Sequence, residues 1–268
     1  VSLVEMRDVS FRYRTGSGVQ DITFRLEGGE FLGIVGPNSA GKSTLLRLLS
    51  KVVVPAQGRI QVAGRDLTAT SRLQLARQVA VVPQEFQVAF PFRVAEVVLM
   101  GRFPHAMGGA WAGPRDQAVA RAALEATDLA ALAGRRLDEL SGGERQLVSI
   151  ARALAQEAPI LLLDEPTAHL DLRHQVAVLD VLLAHHRRVR GVTILISHDL
   201  NLAAEHCDRI LLLAGGRILA LGRPEEVITP ELLEGAYGCP VAVSADPRSG
   251  RPRVQGVLGR RESNAVVP

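Results

Sequence analysis

The sequence predicts an α/β fold: a core with a mainly parallel sheet, an antiparallel β subdomain at its start, and a helical subdomain inserted within it. Three observations carry this. Continuous apolar runs of strand length, 31-FLGIVG-36, 160-ILLLDE-165 and 192-VTILIS-197, alternate with stretches of helical period, as in a parallel sheet covered on both faces. Residues 1–35 begin instead with short strands of alternating polarity. From about 85 to 159 the pattern turns helical.

The elements follow in order. Strands are expected at 3–11 and 21–26, and the Gly28-Gly29 pair between that run and 31–36 suits a tight hairpin. A helix from about Lys42 to Leu49 follows, then a hairpin-like piece at 58–64, a short helix near 71–77 and a buried strand at 79–84. The insertion holds helices at 94–102, 114–129 and after Ser141, with a Gly/Pro-broken loop at 103–114. Strand and helix then alternate to about residue 222. The expected organisation is one domain over 1–252, with a core of 1–84 and 160–222, a helical insertion at 85–159, a C-terminal extension at 223–252 and a flexible tail at 253–268.

Composition limits the function classes. The 268 residues are 47% hydrophobic and 22% charged, ordinary for a globular chain with a core. A net charge of +3 is too small to argue for a nucleic-acid partner. Cys207 and Cys239 lie far apart in no CxxC pattern, so free thiols are expected. No charged-then-apolar leader opens the sequence, and runs such as 210-ILLLA-214 fall far short of the ~20 residues that span a bilayer. A cytosolic chain is expected, or one held at a membrane by something else.

Gly36, Gly41, Lys42 and Ser43 satisfy G-x-x-x-x-G-K-[ST] between a strand and a helix. Such a loop wraps successive backbone N–H groups around phosphates; Lys42 adds a point charge, and the Ser43 hydroxyl suits Mg²⁺. Asp164 ends an apolar strand, where open α/β sheets bind ligands, and an acid there can hold Mg²⁺. Glu165 beside it can polarise a water for attack on a γ phosphate, and is otherwise a salt-bridged or solvated strand-end acid. His198 and Gln84 end two further strands; by default they are a surface or satisfied histidine and a turn-facing amide, but their place points them toward the same crevice, Gln84 within reach of Mg²⁺ if the strands are neighbours. Ser141, with Glu144 three residues on, has the form of a capping box at a helix start.

Taken in order, 36-GPNSAGKST-44, 140-LSGGERQ-146, 160-ILLLDE-165, 167-TAHLD-171 and His198 resemble the ATP-binding subunit of ATP-binding-cassette (ABC) transporters over about residues 3–240. The resemblance implies a P-loop NTPase core that binds ATP and Mg²⁺ and hydrolyses ATP. It implies nucleotide contacts from Gly36, Pro37, Asn38, Ser39, Ala40, Gly41, Lys42, Ser43 and Thr44, and stacking of adenine on Tyr13. Glu165 matches the catalytic base, His198 the switch histidine, and Gln84 the Q-loop glutamine. Asp171 matches an aspartate at a dimer seam. The resemblance further implies that two copies pair head to tail, with Ser141, Gly142 and Gly143 of each completing the ATP site of the other.

Two positions depart from the pattern. Ser39 stands where many relatives have glycine, with little loss expected, and Ala168-His169 replace a more frequent Ser-Ala or Ser-Gly. The runs 94-VAEVVLMGRFPH-105, 148–175 and 237-YGCPVAVSADPRSGRP-252 resemble the subunits of iron–siderophore, haem and cobalamin importers. That implies a peripheral place on the cytoplasmic face of the inner membrane, transmembrane permease partners, and indirectly a periplasmic or lipoprotein substrate-binding protein. Val88, Phe90, Phe92 and Val97 are candidates for a groove receiving a permease helix, or equally for packing within the insertion. A non-transport ABC-type ATPase of DNA repair or translation predicts a long coiled-coil insertion or a second cassette, and the sequence has neither. A small-molecule kinase leaves LSGGERQ and Glu165 without a role.

Overall fold

The computed structural model describes residues 2–86, 90–106 and 113–257. In chain order the elements are β1 (Ser2–Arg12), β2 (Gly18–Glu27), β3 (Phe31–Val35), α1 (Lys42–Leu49), β4 (Gln57–Val62), β5 (Arg65–Asp66), α2 (Arg72–Ala76) and β6 (Val79–Val82). The insertion carries α3 (Val94–Met100), α4 (Pro114–Ala126) and α5 (Gly142–Ala155). Then come β7 (Ile160–Asp164), α6 (Leu172–Val189), β8 (Val192–Ile196), α7 (Leu200–His206), β9 (Arg209–Ala214) and β10 (Arg217–Gly222). The extension holds α8 (Pro224–Val227), α9 (Pro230–Tyr237), β11 (Val241–Ala245) and β12 (Pro252–Gly256).

Two sheets divide the strands. One runs β2-β1-β4-β5 and is antiparallel; the other runs β10-β9-β3-β8-β7-β6 and is parallel except for β10. The Gly28-Gly29 turn therefore does not make a hairpin, because β2 and β3 belong to different sheets. The reason is visible in burial: β2 alternates buried and exposed positions, whereas all five residues of β3 are buried and need a neighbour on each side. Only β8 and β9 supply those neighbours. The tight hairpin at this end joins β1 to β2, and β4 turns into β5 as expected at 58–64.

The parallel sheet is packed on both faces. Leu161, Leu163 and Leu195 point to the side of the helical insertion. Leu162, Ile194 and Ile196 point to the antiparallel sheet and α1. Core burial thus fixes which way each strand faces, and its carboxyl end is then free to carry chemistry.

The insertion is fastened to the core by polar contacts to main-chain oxygens. Gln156 Nε2 donates to Ala76 O (2.5 Å) and Val79 O (2.7 Å), and Arg77 Nε donates to Pro104 O (2.7 Å). Inside the insertion, Arg102 is almost fully buried and donates to Asp116 Oδ1 (3.0 Å), Glu157 Oε2 (2.7 Å) and Ala155 O (2.7 Å). A buried guanidinium is tolerated when its donors are answered in this way.

The extension ends in a β11–β12 hairpin held to α7, with Asn201 Oδ1 accepting from Val254 N (2.7 Å). Arg253–Gly256, expected in a flexible tail, thus belong to a paired strand, and the rest of that stretch beyond Val257 lies outside the described residues. Cys207 is buried and Cys239 exposed, both free. Among the described residues, no helix is long and apolar enough to cross a membrane.

Candidate active site

Strand register brings the functional loops together. Ile196 of β8 pairs with Ile34 of β3 on one side and Asp164 of β7 on the other, and Val82 of β6 pairs with Leu163. Each strand turns into a loop within two residues of that row, so Gly36, His198, Glu165 and Gln84 gather at one carboxyl edge. Gln84, Glu165 and His198 border a cleft of about 420 Å³ that is also lined by Tyr13, Asn38, Ser39, Gly41, Lys42, Ser43 and Thr44.

The loop from Gly36 to Gly41 turns β3 into α1. Gly36 lies at φ +146°, and a Cβ there would meet Leu213 O at 2.0 Å, so only glycine lets this strand end lie against β9. Ser39 sits at φ +65°, in the left-handed region that glycine adopts freely. A serine there carries about 1 kcal/mol of backbone strain that a glycine would not. Lys42 is 6% exposed and donates from Nζ to Gly36 O (2.7 Å) and Pro37 O (3.0 Å). Burial pulls its ammonium below the ordinary lysine range, against the opposing pull of Glu165 and Asp164.

Glu165 is gripped by residues from two other strands. Gln84 Nε2 donates to its Oε2 (3.2 Å), and His198 Nε2 meets its Oε1. Its backbone lies at φ +48° while its N–H still donates to Ile196 O (3.0 Å). A non-glycine residue in that region costs about 1–3 kcal/mol and redirects the side chain at the strand's end.

Asp164, directly before it, has a buried Oδ1 with no hydrogen-bond partner among the described residues. Its carboxyl is pushed up first by burial and then by Glu165. A buried, unanswered carboxylate oxygen beside the Ser43 hydroxyl helix fits a divalent cation, the hard oxygen donors being those Mg²⁺ prefers.

Tyr13 lies at the cleft's rim, its hydroxyl accepting from Arg47 Nη1 (3.1 Å) and its ring edge-on to Phe11 at 4.8 Å. Arg47, Ser17 and Gly18 also line the cleft and were missed by sequence reasoning. No local signal marks them, since the end of β1 reaches α1 only through the fold.

Ser141, Gly142, Gly143 and Asp171 line no part of this cleft. Ser141 caps α5: its Oγ accepts from Glu144 N (3.2 Å), and Glu144 Oε2 accepts from Ser141 N (2.7 Å). Hydrogen bonds to its carboxylate, first from the Ser141 backbone N–H and then from the Ser141 side chain, hold the Glu144 carboxyl below the usual range. Gly142 borders a separate cleft with Gln84, Phe86, Arg145, Gln146 and residues 168–170. Asp171 caps α6, its Oδ1 accepting from His174 N at 2.9 Å. The groove residues divide: Val97 is fully buried and cannot meet a partner, Phe92 is partly buried, Phe90 is 67% exposed, and Val88 lies outside the described residues.

A glycine loop between a buried parallel strand and a helix, with a buried lysine inside it and strand-end acids beside it, defines a P-loop nucleoside triphosphatase fold. A family model described as ABC transporter matches residues 19–168, more than half of the chain. The chain belongs to that family.

It is 43% identical over 232 residues to the cobalamin import ATP-binding protein BtuD of Halobacterium salinarum, covering 87% of this chain and 58% of that protein. It is 47% identical over 233 residues to the hemin import ATP-binding protein HmuV of Streptomyces coelicolor, covering 85% and 81%. The fold superposes with a TM-score of 0.84 on a metal-chelate type ABC transporter in an inward-facing conformation, at 31% identity, covering 96% of this chain and 98% of that one.

Proposed function

We propose that the chain is the ATP-hydrolysing subunit of an importer that takes up a metal chelate of the iron–siderophore, haem or cobalamin class. It works as a head-to-tail pair that sandwiches ATP, at the cytoplasmic face of the inner membrane. Transmembrane permease subunits supply the passage, and a periplasmic or lipoprotein substrate-binding protein delivers the cargo. The names of the cobalamin, hemin and metal-chelate relatives support the cargo class.

The observation that carries the reading is the split of the site. Glu165, Gln84, His198 and Lys42 share one cleft, while the Ser141–Gly143 helix start lies outside it. A single chain holds the phosphates and the base, and a second copy brings its α5 N-terminus to the far side of the γ phosphate. Helix N-termini carry about half a positive charge and unpaired N–H groups suited to that task.

In this reading the backbone of Asn38–Thr44 wraps the β and γ phosphates, and Lys42 leaves its loop carbonyls to neutralise them. Glu165 accepts a proton from the attacking water as the water's oxygen bonds to the γ phosphorus and the bond from that phosphorus to the β–γ bridging oxygen breaks, releasing ADP and phosphate. His198 and Gln84 hold the carboxylate at its two oxygens, so that it faces the water rather than the solvent. Ser43, Gln84 and Asp164 would hold Mg²⁺, which supplies charge neutralisation on the phosphates.

Glu165→Gln in the full chain tests the reading. With ATP present, light scattering should show a stable dimer and phosphate release should be nearly abolished. Hydrolysis at the parent rate by that variant would show that Glu165 is not the base, and a monomer at saturating ATP would reject the two-copy site.

A further inference from the structure

The Asp171 loop and the start of α5 meet within one chain, and the His174 side chain lies between them. A Cβ built on Gly143 would lie 2.3 Å from His174 Cδ2, 2.4 Å from Cγ and 2.8 Å from Nε2, so the imidazole lies flat against the Gly143 backbone. The same ring is tethered on its other edge: His174 Nδ1 lies 2.8 Å from Asp171 Oδ1, the oxygen that also caps α6. His174 further draws the Glu144 carboxyl down, which places it beside the Ser141–Glu144 capping box. The ring is a wedge between two loops, with one face on a backbone that has no side chain to yield.

We propose that His174 is a positioning residue: a strut that fixes the Ser141–Gly143 amides to the Asp171 loop. The inference rests on the reading above, in which those amides complete the ATP site of a second copy. The loop also reaches back to the chain's own site. It begins at Glu165, whose carbonyl accepts from Ala168 N (3.0 Å), and ends at Asp171. Each chain thus holds a continuous link from the base at its own nucleotide to the helix start at its partner's nucleotide. A movement of Glu165 during hydrolysis is passed through Asp171 and the imidazole to Gly143. Gly143 is glycine for two reasons: a bare backbone can approach a phosphate, and a methyl group would drive into the ring.

The test is a double-mutant cycle in the full chain with Mg-ATP, using His174→Ala, Gly143→Ala and the pair together, with His174→Phe as a second variant that keeps a ring but not the tether. Hydrolysis against ATP concentration gives kcat, KM and the Hill coefficient, a fluorescent ATP analogue gives the affinity of the dilute subunit, and melting curves report folding.

We expect His174→Ala to lower kcat about tenfold and flatten the Hill coefficient toward one, with the dilute-subunit affinity within about twofold of the parent. Gly143→Ala should cost about a hundredfold in the parent but only about tenfold once the ring is gone. His174→Phe should keep the clash with Gly143→Ala and lose the cooperativity. Losses that simply multiply, or a His174→Ala variant with parent kcat and Hill coefficient, would overturn the strut while the parent still dimerised and hydrolysed ATP. A parent that turned over at a rate independent of its own concentration would overturn the two-copy reading, and the strut with it.

Discussion

The two glycine-bearing helix starts of this chain are built on opposite terms. At α1 the loop is sunk into the sheet edge, Lys42 is buried, and Asp164 beside it keeps a buried oxygen without a partner among the described residues. At α5 the start is at the surface, Ser141 and Gly142 are exposed, and the capping box answers its own donors. The first carries unanswered charge in a low-dielectric pocket and is ready for a ligand alone. The second is complete as a helix end, its capping box satisfied within the chain. On the function proposed above, unanswered burial marks the half that binds first, and local satisfaction marks the half that waits for a second copy.

Glu165→Gln breaks the first half most severely, with a fall in turnover of more than about a hundredfold and ATP binding retained, read by phosphate release and by titration calorimetry. Ser141→Arg attacks the other half: hydrolysis should drop by about a hundredfold, while the dilute subunit binds ATP as the parent does, and a parallel loss of binding would show that the two halves are not separate. Lys42→Ala should weaken nucleotide binding about 30-fold, the worth of a charge-assisted contact of about 2 kcal/mol, measured by calorimetry. His198→Ala, which frees one Glu165 oxygen, should lower kcat about tenfold with little change in KM, and a fully active variant would return His198 to a surface role.

The smallest effect concerns stability. His185 on α6 is buried, with Nδ1 lacking a partner among the described residues, and burial followed by Arg188 and His186 pushes it down to about 4. The unfolded chain binds this proton below the ordinary histidine value of 6.5 and the folded chain resists it until about 4, so stability falls as pH drops through that window. A loss of about 1 kcal/mol by pH 5.5 should appear in melting curves and be absent in His185→Gln. Since α6 carries Asp171 at its cap, a flat profile would show that the helix behind the second half is packed less tightly than described.

Much of this was legible before the fold. The P-loop, the strand-end acids and the Ser141 capping box are local chemistry, written in residues that lie within nine positions of one another. Sheet membership is not local: the Gly28-Gly29 pair has the composition of a hairpin turn, but β3 finds its neighbours more than 150 residues away in β8 and β9. Helical period marks a stripe on α3 without saying what covers it, so Val97 reads equally as a docking residue or a core residue until its complete burial decides. Arg47 reaching Tyr13 and His174 lying on Gly143 are contacts between elements, and neither residue type suggests such a partner on its own. The strain at Ser39 escaped for a different reason: side-chain size can be read from a letter, and a backbone angle cannot.

The seam where the insertion meets the core has an evolutionary corollary. Gln156 and Arg77 grip it through carbonyl oxygens of Ala76, Val79 and Pro104, atoms that every amino acid supplies. Replacements at the three accepting positions leave the acceptors in place, and the outward faces of α3 and α4 take no part in these bonds. Lineages can therefore re-tailor that outer surface by mutation and drift while the insertion stays docked, so neutral change there need not be repaired by matching change in the core.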